Sequence, residues 1–328
     1  MMKKIIGLTI ALGTLAAALV LTGCSGGPAP GNPSLPPGFK DAPLPDLDLN
    51  AYAFVAKDTP VQLHEKLLTG EPAAPSTPGA LTMPSLDVNV LSLSGVAGTS
   101  VDSFGATANL TDQREVALAR DLLGRQKELW TLAFGNSISI VKGADAWAQS
   151  LKDAYTNNRQ TTIETKYPEV WELVRLLPES PPSKPIAAGF VRTEGLDLEA
   201  LGAKAHVSVG NIKQALNTMK AKDMAFAVYA EDKFTIIPKT VDAAFFKDAK
   251  LGTVFVTKSS YPGLIFGLAV NTFGGGAGLE KVTIGDTDAR YMKVQDIHLY
   301  LVNRGSVLIG AASPGKDYAE KLLLSAIK

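Results

Sequence analysis

Few residues in this chain have a type and spacing suited to chemistry. The histidines are three, His64, His206 and His298, and they are scattered. None lies in an H-E-x-x-H helix face that could hold zinc, since His64-Glu65 meets Leu68 where the second ligand would stand. They read as surface or internally satisfied side chains, and no metal or cofactor is expected. Asp286 and Asp288, in Gly285-Asp286-Thr287-Asp288, come nearest to an acid–base pair. Carboxylates two apart in a loop are ordinarily turn formers, and a glycosidase pair must flank its sugar at a defined separation. No G-x-S-x-G elbow joins a predicted strand to a predicted helix, and there is no Walker lysine motif. The run Gly274-Gly275-Gly276-Ala277-Gly278 lies between two predicted strands. A phosphate cradle opens a helix instead, so the run reads as a hairpin tip. Asp46-Leu47-Asp48-Leu49-Asn50 partly matches a calcium loop but lacks its central Gly and closing Glu.

Three tryptophans, Trp130, Trp147 and Trp171, are the best binding candidates. An exposed cluster of indoles would stack on sugars or peptides. Trp147 and Trp171 fall on or beside predicted inward helical faces, which favours core packing.

One further residue carries chemistry of another kind. Cys24 is the only cysteine, so no disulfide, thiolate metal site or second thiol is available. It follows Lys3 and Lys4, an apolar run from Ile5 to Leu21, and small residues. That order of charge, apolar core and small residues is the grammar of an export signal. The run is short for a membrane span, which needs about 20 apolar residues. Leu21-Thr22-Gly23-Cys24 resembles the lipobox of bacterial lipoproteins. The resemblance implies cleavage before Cys24, a diacylglycerol thioether on its sulfur and acylation of the new amino group. One chain binds a bilayer marginally and two or three hold firmly, at about 0.8 kcal/mol per buried methylene. Ser25 resembles the residue that permits delivery to an outer membrane where one exists.

Composition narrows the partners. The chain has 328 residues, 46% apolar and 20% charged, with 32 basic and 32 acidic side chains. Removal of residues 1–23 leaves 305 (328 − 23), with a charge near −2 (30 − 32). No basic excess invites nucleic acid or anionic lipid. The membrane is therefore reached through acyl chains on Cys24 alone.

These residues need elements to hold them. Residues 24–50 are rich in Pro and Gly and read as a tether. Residues 51–185 read as a first α+β half. It has strands at Tyr52–Ala56 and Val88–Val96 and a helix near Val61–Leu68. A further helix is capped by Thr111, with Val116, Ala119 and Leu123 on one face. A hairpin over Leu129–Ile140 leads to a helix with Trp147, Leu151 and Tyr155 inward, and Pro168 opens another. Residues 186–328 read as a second half. Strands are expected at Ile186–Val191, Met224–Tyr229, Phe234–Ile237, Thr253–Thr257 and Val282–Ile284, and a helix carries Val209, Ile212, Leu216 and Met219. Leu264, Phe266, Leu268 and Val270 alternate as a strand would. A last hairpin, His298–Gly310, turns at Asn303-Arg304-Gly305 and precedes a helix with Tyr318, Leu322 and Leu323 inward.

Leu129–Tyr155 and His298–Ile327 read alike, with Asn136-Ser137-Ile138-Ser139-Ile140 set beside Gly305-Ser306-Val307-Leu308-Ile309. The expected fold is α+β, mainly antiparallel sheets backed by helices, in two related hairpin–helix halves. The repeated unit followed by an apolar strand resembles an uncharacterised family of membrane-anchored extracytoplasmic bacterial proteins, which implies architecture and no activity. The expected function is a lipid-anchored extracytoplasmic lipoprotein of the cell envelope with a non-catalytic binding or scaffolding role. It would lie on the outer face of the cytoplasmic membrane or on the outer membrane. The alternatives are a solute-binding lipoprotein of a transporter and a carboxylate-dependent envelope hydrolase.

Overall fold

The computed structural model describes residues 35–55, 61–63, 86–88, 90–98, 100, 102–124, 128–179, 181–195, 220–230, 251–268, 270, 279–294 and 297–327. Cys24, His64, His206, the glycine run 274–278, the predicted helix at 209–219 and the predicted strand at 234–237 lie outside them.

The first half begins with β1 (Leu44–Pro45), β2 (Ala51–Val55), β3 (Val61–Leu63), β4 (Leu86–Val88), β5 (Val90–Ala97) and β6 (Phe104–Leu110). It continues through α1 (Gln113–Leu123), β7 (Leu129–Phe134), β8 (Ser137–Lys142) and α2 (Ala146–Thr156). β9 (Gln160–Thr161), α3 (Ile163–Lys166) and α4 (Pro168–Val174) lead to the second half. There β10 (Lys184–Arg192), β11 (Ala221–Ala230), β12 (Leu251–Ser259), β13 (Glu280–Ile284) and β14 (Thr287–Val294) precede β15 (Ile297–Arg304), β16 (Val307–Ser313) and α5 (Lys316–Ala326). The fold is α+β and its strand pairs are antiparallel. Twelve strands form one sheet in the order β13-β14-β15-β16-β12-β11-β10-β2-β5-β6-β8-β7.

That order contains one pattern twice. β2-β5-β6-β8-β7 runs outward from the centre one way and β10-β11-β12-β16-β15 the other, joined where β2 pairs with β10. The registers agree residue for residue. Val55 pairs with Leu93, Leu93 with Ala108, Ala108 with Ile138, and Ile138 with Ala133. In the other half Val191 pairs with Met224, Met224 with Thr257, Thr257 with Leu308, and Leu308 with Asn303. A local twofold through the central Ala53–Gly189 pair exchanges the two rows. The hairpin–helix unit thus repeats at a constant spacing (305 − 135 = 170 for the turn glycines, 316 − 146 = 170 for the helix starts). The sequence pairing of Asn136 with Gly305 is one residue out, and Gly135 is the counterpart of Gly305.

The turns explain the register. Gly135, Gly285 and Gly305 each open a two-residue hairpin loop with φ of +57°, +57° and +60°. The residue after each keeps a negative φ, which makes the turn type II′, the form that suits the twist of the flanking strands. The last turn is therefore Gly305-Ser306 and not Asn303-Arg304-Gly305.

One sheet face carries the main core. Tyr52, Phe54, Phe190, Ala225, Tyr229, Val254 and Val256 meet Leu151 of α2, Leu173 of α4 and Leu322 of α5. On the other face Val116 and Ala119 of α1 cover Ala108, Leu110 and Ile138. In the second half Phe266 and Val270 cover Leu308 in the same way, Leu308 being the counterpart of Ile138. Residues 263–268 are helical, not the expected strand, and Phe266 N–H donates to the Pro262 carbonyl at 3.0 Å. Pro262 suits the start of a helix, and the twofold places a helix there.

Three further expectations change. Residues 35–50 do not belong to a tether: Leu35, Phe39, Ala42, Leu44 and Leu49 are buried in the main core. The α1 cap is Asp112, whose carboxylate accepts from Arg114 N–H at 2.8 Å and whose carbonyl accepts from Val116, whereas Thr111 lies one position outside. Residues 61–63 are strand β3, paired with β4, where a helix was expected. β6 escapes a sequence reading because Gly105, Ala106 and Ala108 give little strand signal, yet Ala106 and Ala108 are buried between neighbouring strands.

Candidate functional site

The three tryptophans are held by different elements and do not form an exposed cluster. Each is partly buried against the main core. Trp147 lies in the first turn of α2, where the Asp145 carboxylate caps the helix by accepting from Ala148 N–H at 2.8 Å. Its indole N–H donates to the Asp48 carbonyl at 2.8 Å, and its ring fills the space that a side chain at Gly98 would occupy. Trp171 lies on α4, which packs over β11 and β12. Trp130 lies on β7, opposite Val141. Trp147 and Trp171 are thus clasps between the core and the segments that cover it, and Trp130 stands apart at the end of the sheet.

Asp286 and Asp288 sit at an exposed hairpin end. Asp286 is the second residue of the Gly285-Asp286 turn, and Asp288 is on β14 opposite Thr283, not in a loop. Among the described residues nothing encloses them, and both are exposed. Asp46 is taken by a protein cation: Lys166 Nζ lies 2.7 Å from its carboxylate and holds the group below its ordinary pKa. Among the described residues no three His, Cys, Asp or Glu side chains converge as a metal site would require.

His298 is the one described histidine. Its Nδ1 lies 2.8 Å from the Tyr291 hydroxyl, and the two rings stack at 6.0 Å. Burial, then the charges of Lys293 and Lys316, press its pKa below the ordinary value. Nδ1 and the tyrosine hydroxyl share one hydrogen bond, its direction set by the imidazole tautomer. Lys316 Nζ stands 5.3 Å over the Tyr291 ring, which also meets Tyr300 at 4.9 Å.

A second polar group, not evident in the sequence, binds residues 47–50 to the second half. The Tyr167 hydroxyl accepts from Leu49 N–H at 2.6 Å and donates to the Leu47 carbonyl at 3.2 Å. Arg192 lies 5.3 Å from the Tyr167 ring and 3.4 Å from the Asp223 carboxylate. Burial raises the Asp223 pKa in spite of that arginine. Arg192 N–H donates to Asn50, and Asn50 Nδ2 donates to Gly195. These groups satisfy one another across the strand ends, so the network reads as a structural tie.

An edge left unpaired among the described residues is that of β7. Among the described residues β7 pairs only with β8 and ends the sheet. Leu129-Trp130-Thr131-Leu132-Ala133-Phe134 contains no charge, and Phe134 is 82% exposed. Sheets ordinarily blunt such edges with charge, proline or bulges. The opposite terminal strand, β13, does so with exposed Glu280 and Lys281. Exposed Leu264, Ile265 and Leu268 form a second apolar patch, on the helix at 263–268.

The lobes of a cleft are not present in the sheet itself, since β2 and β10 join the two halves by a continuous ladder. No helix among the described residues is long and apolar enough to cross a membrane. No protein family, curated protein or solved structure matches the chain.

Proposed function

We propose that this chain is a lipid-anchored extracytoplasmic lipoprotein with a non-catalytic binding or scaffolding role in the cell envelope. The observation that carries the reading is Leu21-Thr22-Gly23-Cys24 behind Lys3, Lys4 and an apolar run. The fold is compatible with it. Among the described residues the first buried side chain is Leu35, so at most residues 25–34 separate Cys24 from the folded body. Ten residues reach at most about 35 Å, which would hold the domain close to its bilayer. A scaffolding role is favoured by a wide sheet with one uncharged edge. The hydrolase alternative needs carboxylates converging on a substrate, whereas Asp286 and Asp288 face water. The solute-binding alternative needs a cleft between lobes, and β2–β10 pairing runs through the place where it would lie.

The test is Cys24→Ser in the full-length chain. Fatty-acid labelling of the protein should disappear, with either release from the membrane or retention of the uncleaved precursor. Labelling at the wild-type level would overturn the anchor. So would a mature wild-type chain that begins at any other residue.

A further inference from the structure

The internal twofold shows what the β7 edge is shaped to accept. The counterpart of β7 is β15, and β15 has its outer edge covered by β14. There Tyr291 lies directly opposite Tyr300, with ring centroids 4.9 Å apart. Tyr300 is the counterpart of Trp130 by the 170-residue spacing, and among the described residues no strand or ring covers Trp130 from that side. The first half therefore presents an edge whose twin is filled.

We infer that β7 pairs antiparallel with β7 of a second copy of the chain, crossing at Leu132. The two-residue loop makes Phe134 and Ser137 a hydrogen-bonded pair, so Phe134, Leu132 and Trp130 spend their backbone groups on β8. Thr131 and Ala133 then turn their N–H and C=O groups outward, and those groups meet the second copy. Residues opposite one another in an antiparallel pair point to one face, so two identical strands must cross at a residue. A crossing at Leu132 sets Thr131 opposite Ala133 and Trp130 opposite Phe134 of the second copy, twice over by symmetry. Phe134 thereby supplies to Trp130 the ring that Tyr291 supplies to Tyr300. A crossing at Thr131 would instead set Phe134 against Glu128, which already pairs with Lys142 at 2.9 Å. An uncharged, self-complementary strand suits a second copy better than a charged partner. The inference does not depend on the anchor at Cys24.

The experiment uses the full-length chain in its native membrane. Leu132 falls at the crossing, a non-hydrogen-bonded position where the two Cα atoms lie about 4.5 Å apart. A disulfide fits that distance and does not fit beyond about 7 Å. Under mild oxidation Leu132→Cys should give a covalent dimer of twice the monomer mass, and Thr131→Cys should not. Both variants keep Cys24, so their difference reads β7 alone. Adding Phe134→Lys to Leu132→Cys should lower the dimer yield about tenfold through loss of two aromatic pairs. Phe134→Lys alone, at a side chain exposed to 82%, leaves the fold intact and should shift the detergent-extracted protein from dimer to monomer in sedimentation. Absence of the Leu132→Cys dimer, equal yields from both cysteine variants, a mixed adduct with another protein, or a wild-type monomer in sedimentation would each overturn the inference.

Discussion

At the scale of single residues the polar side chains are absorbed into structure. Tyr291 and His298 show how. Burial, and then the charges of Lys293 and Lys316, lower the imidazole pKa, and a tyrosine hydroxyl sits at its Nδ1. The folded-state pKa lies below the ordinary value of about 6.5, so the unfolded chain binds more protons in that window. The contribution of this pair is fully present above about pH 6.5 and is lost as pH falls through the lower folded value. His298→Gln should flatten the pH dependence of the urea midpoint between pH 8 and 5. A variant with the wild-type slope would show that another group sets it. Sequence reading placed His298 correctly in an apolar strand, but its partner came from the neighbouring strand. The register of β14 on β15 makes that contact, and no local pattern around His298 announces it.

At the scale of elements, periodicity served well wherever one face of an element meets a core. α2 and α5 turn Leu151, and Tyr318, Leu322 and Leu323, inward as their spacing predicts. It failed at two kinds of place. Leu264 to Val270 alternates as a strand does, but only Phe266 and Val270 are buried, a spacing of four that a helix also satisfies. Proline and glycine mislead at residues 35–50, where composition denies regular structure without denying burial. Phe39 is 1% exposed and meets the rings of Tyr52 and Phe54 at 6.1 and 6.0 Å. Phe39→Ala should therefore cost about 3–5 kcal/mol in denaturant unfolding. A true tether residue would change stability by less than about 0.5 kcal/mol. Deletion of residues 28–45, harmless to a tether, should here abolish the cooperative melt.

At the scale of the whole molecule the central ladder decides whether the halves act as one. Gly189 pairs with Ala53 on the local twofold, and a Cβ there would collide with the Tyr52 carbonyl oxygen and the Phe226 ring. Gly189→Ala should destabilise the protein by about 1–3 kcal/mol, since overpacking forces neighbours off their rotamers. The size of that loss in thermal unfolding, with one transition retained, tests whether the β2–β10 seam belongs to a single cooperative unit. Two separated transitions would show two independent halves. The repeat was legible in the sequence only as a hairpin and helix seen twice, one residue out of step. The register of five strands on each side of the seam sets the match.

By itself the sequence determined the antiparallel α+β character and most of the inward helical and strand faces, and it holds the lipobox-like stretch at Cys24 on which the proposed anchor rests. Those are local properties: charge beside an apolar run, periodicity, and glycine where φ must be positive. Only the tertiary structure decided that residues 35–50 are core, that the tryptophans stand apart, that two halves share one sheet, and that β7 is its uncharged end. Strand order and edge exposure depend on contacts between residues far apart in the chain, and a strand reads the same in sequence whether its second edge is filled or free.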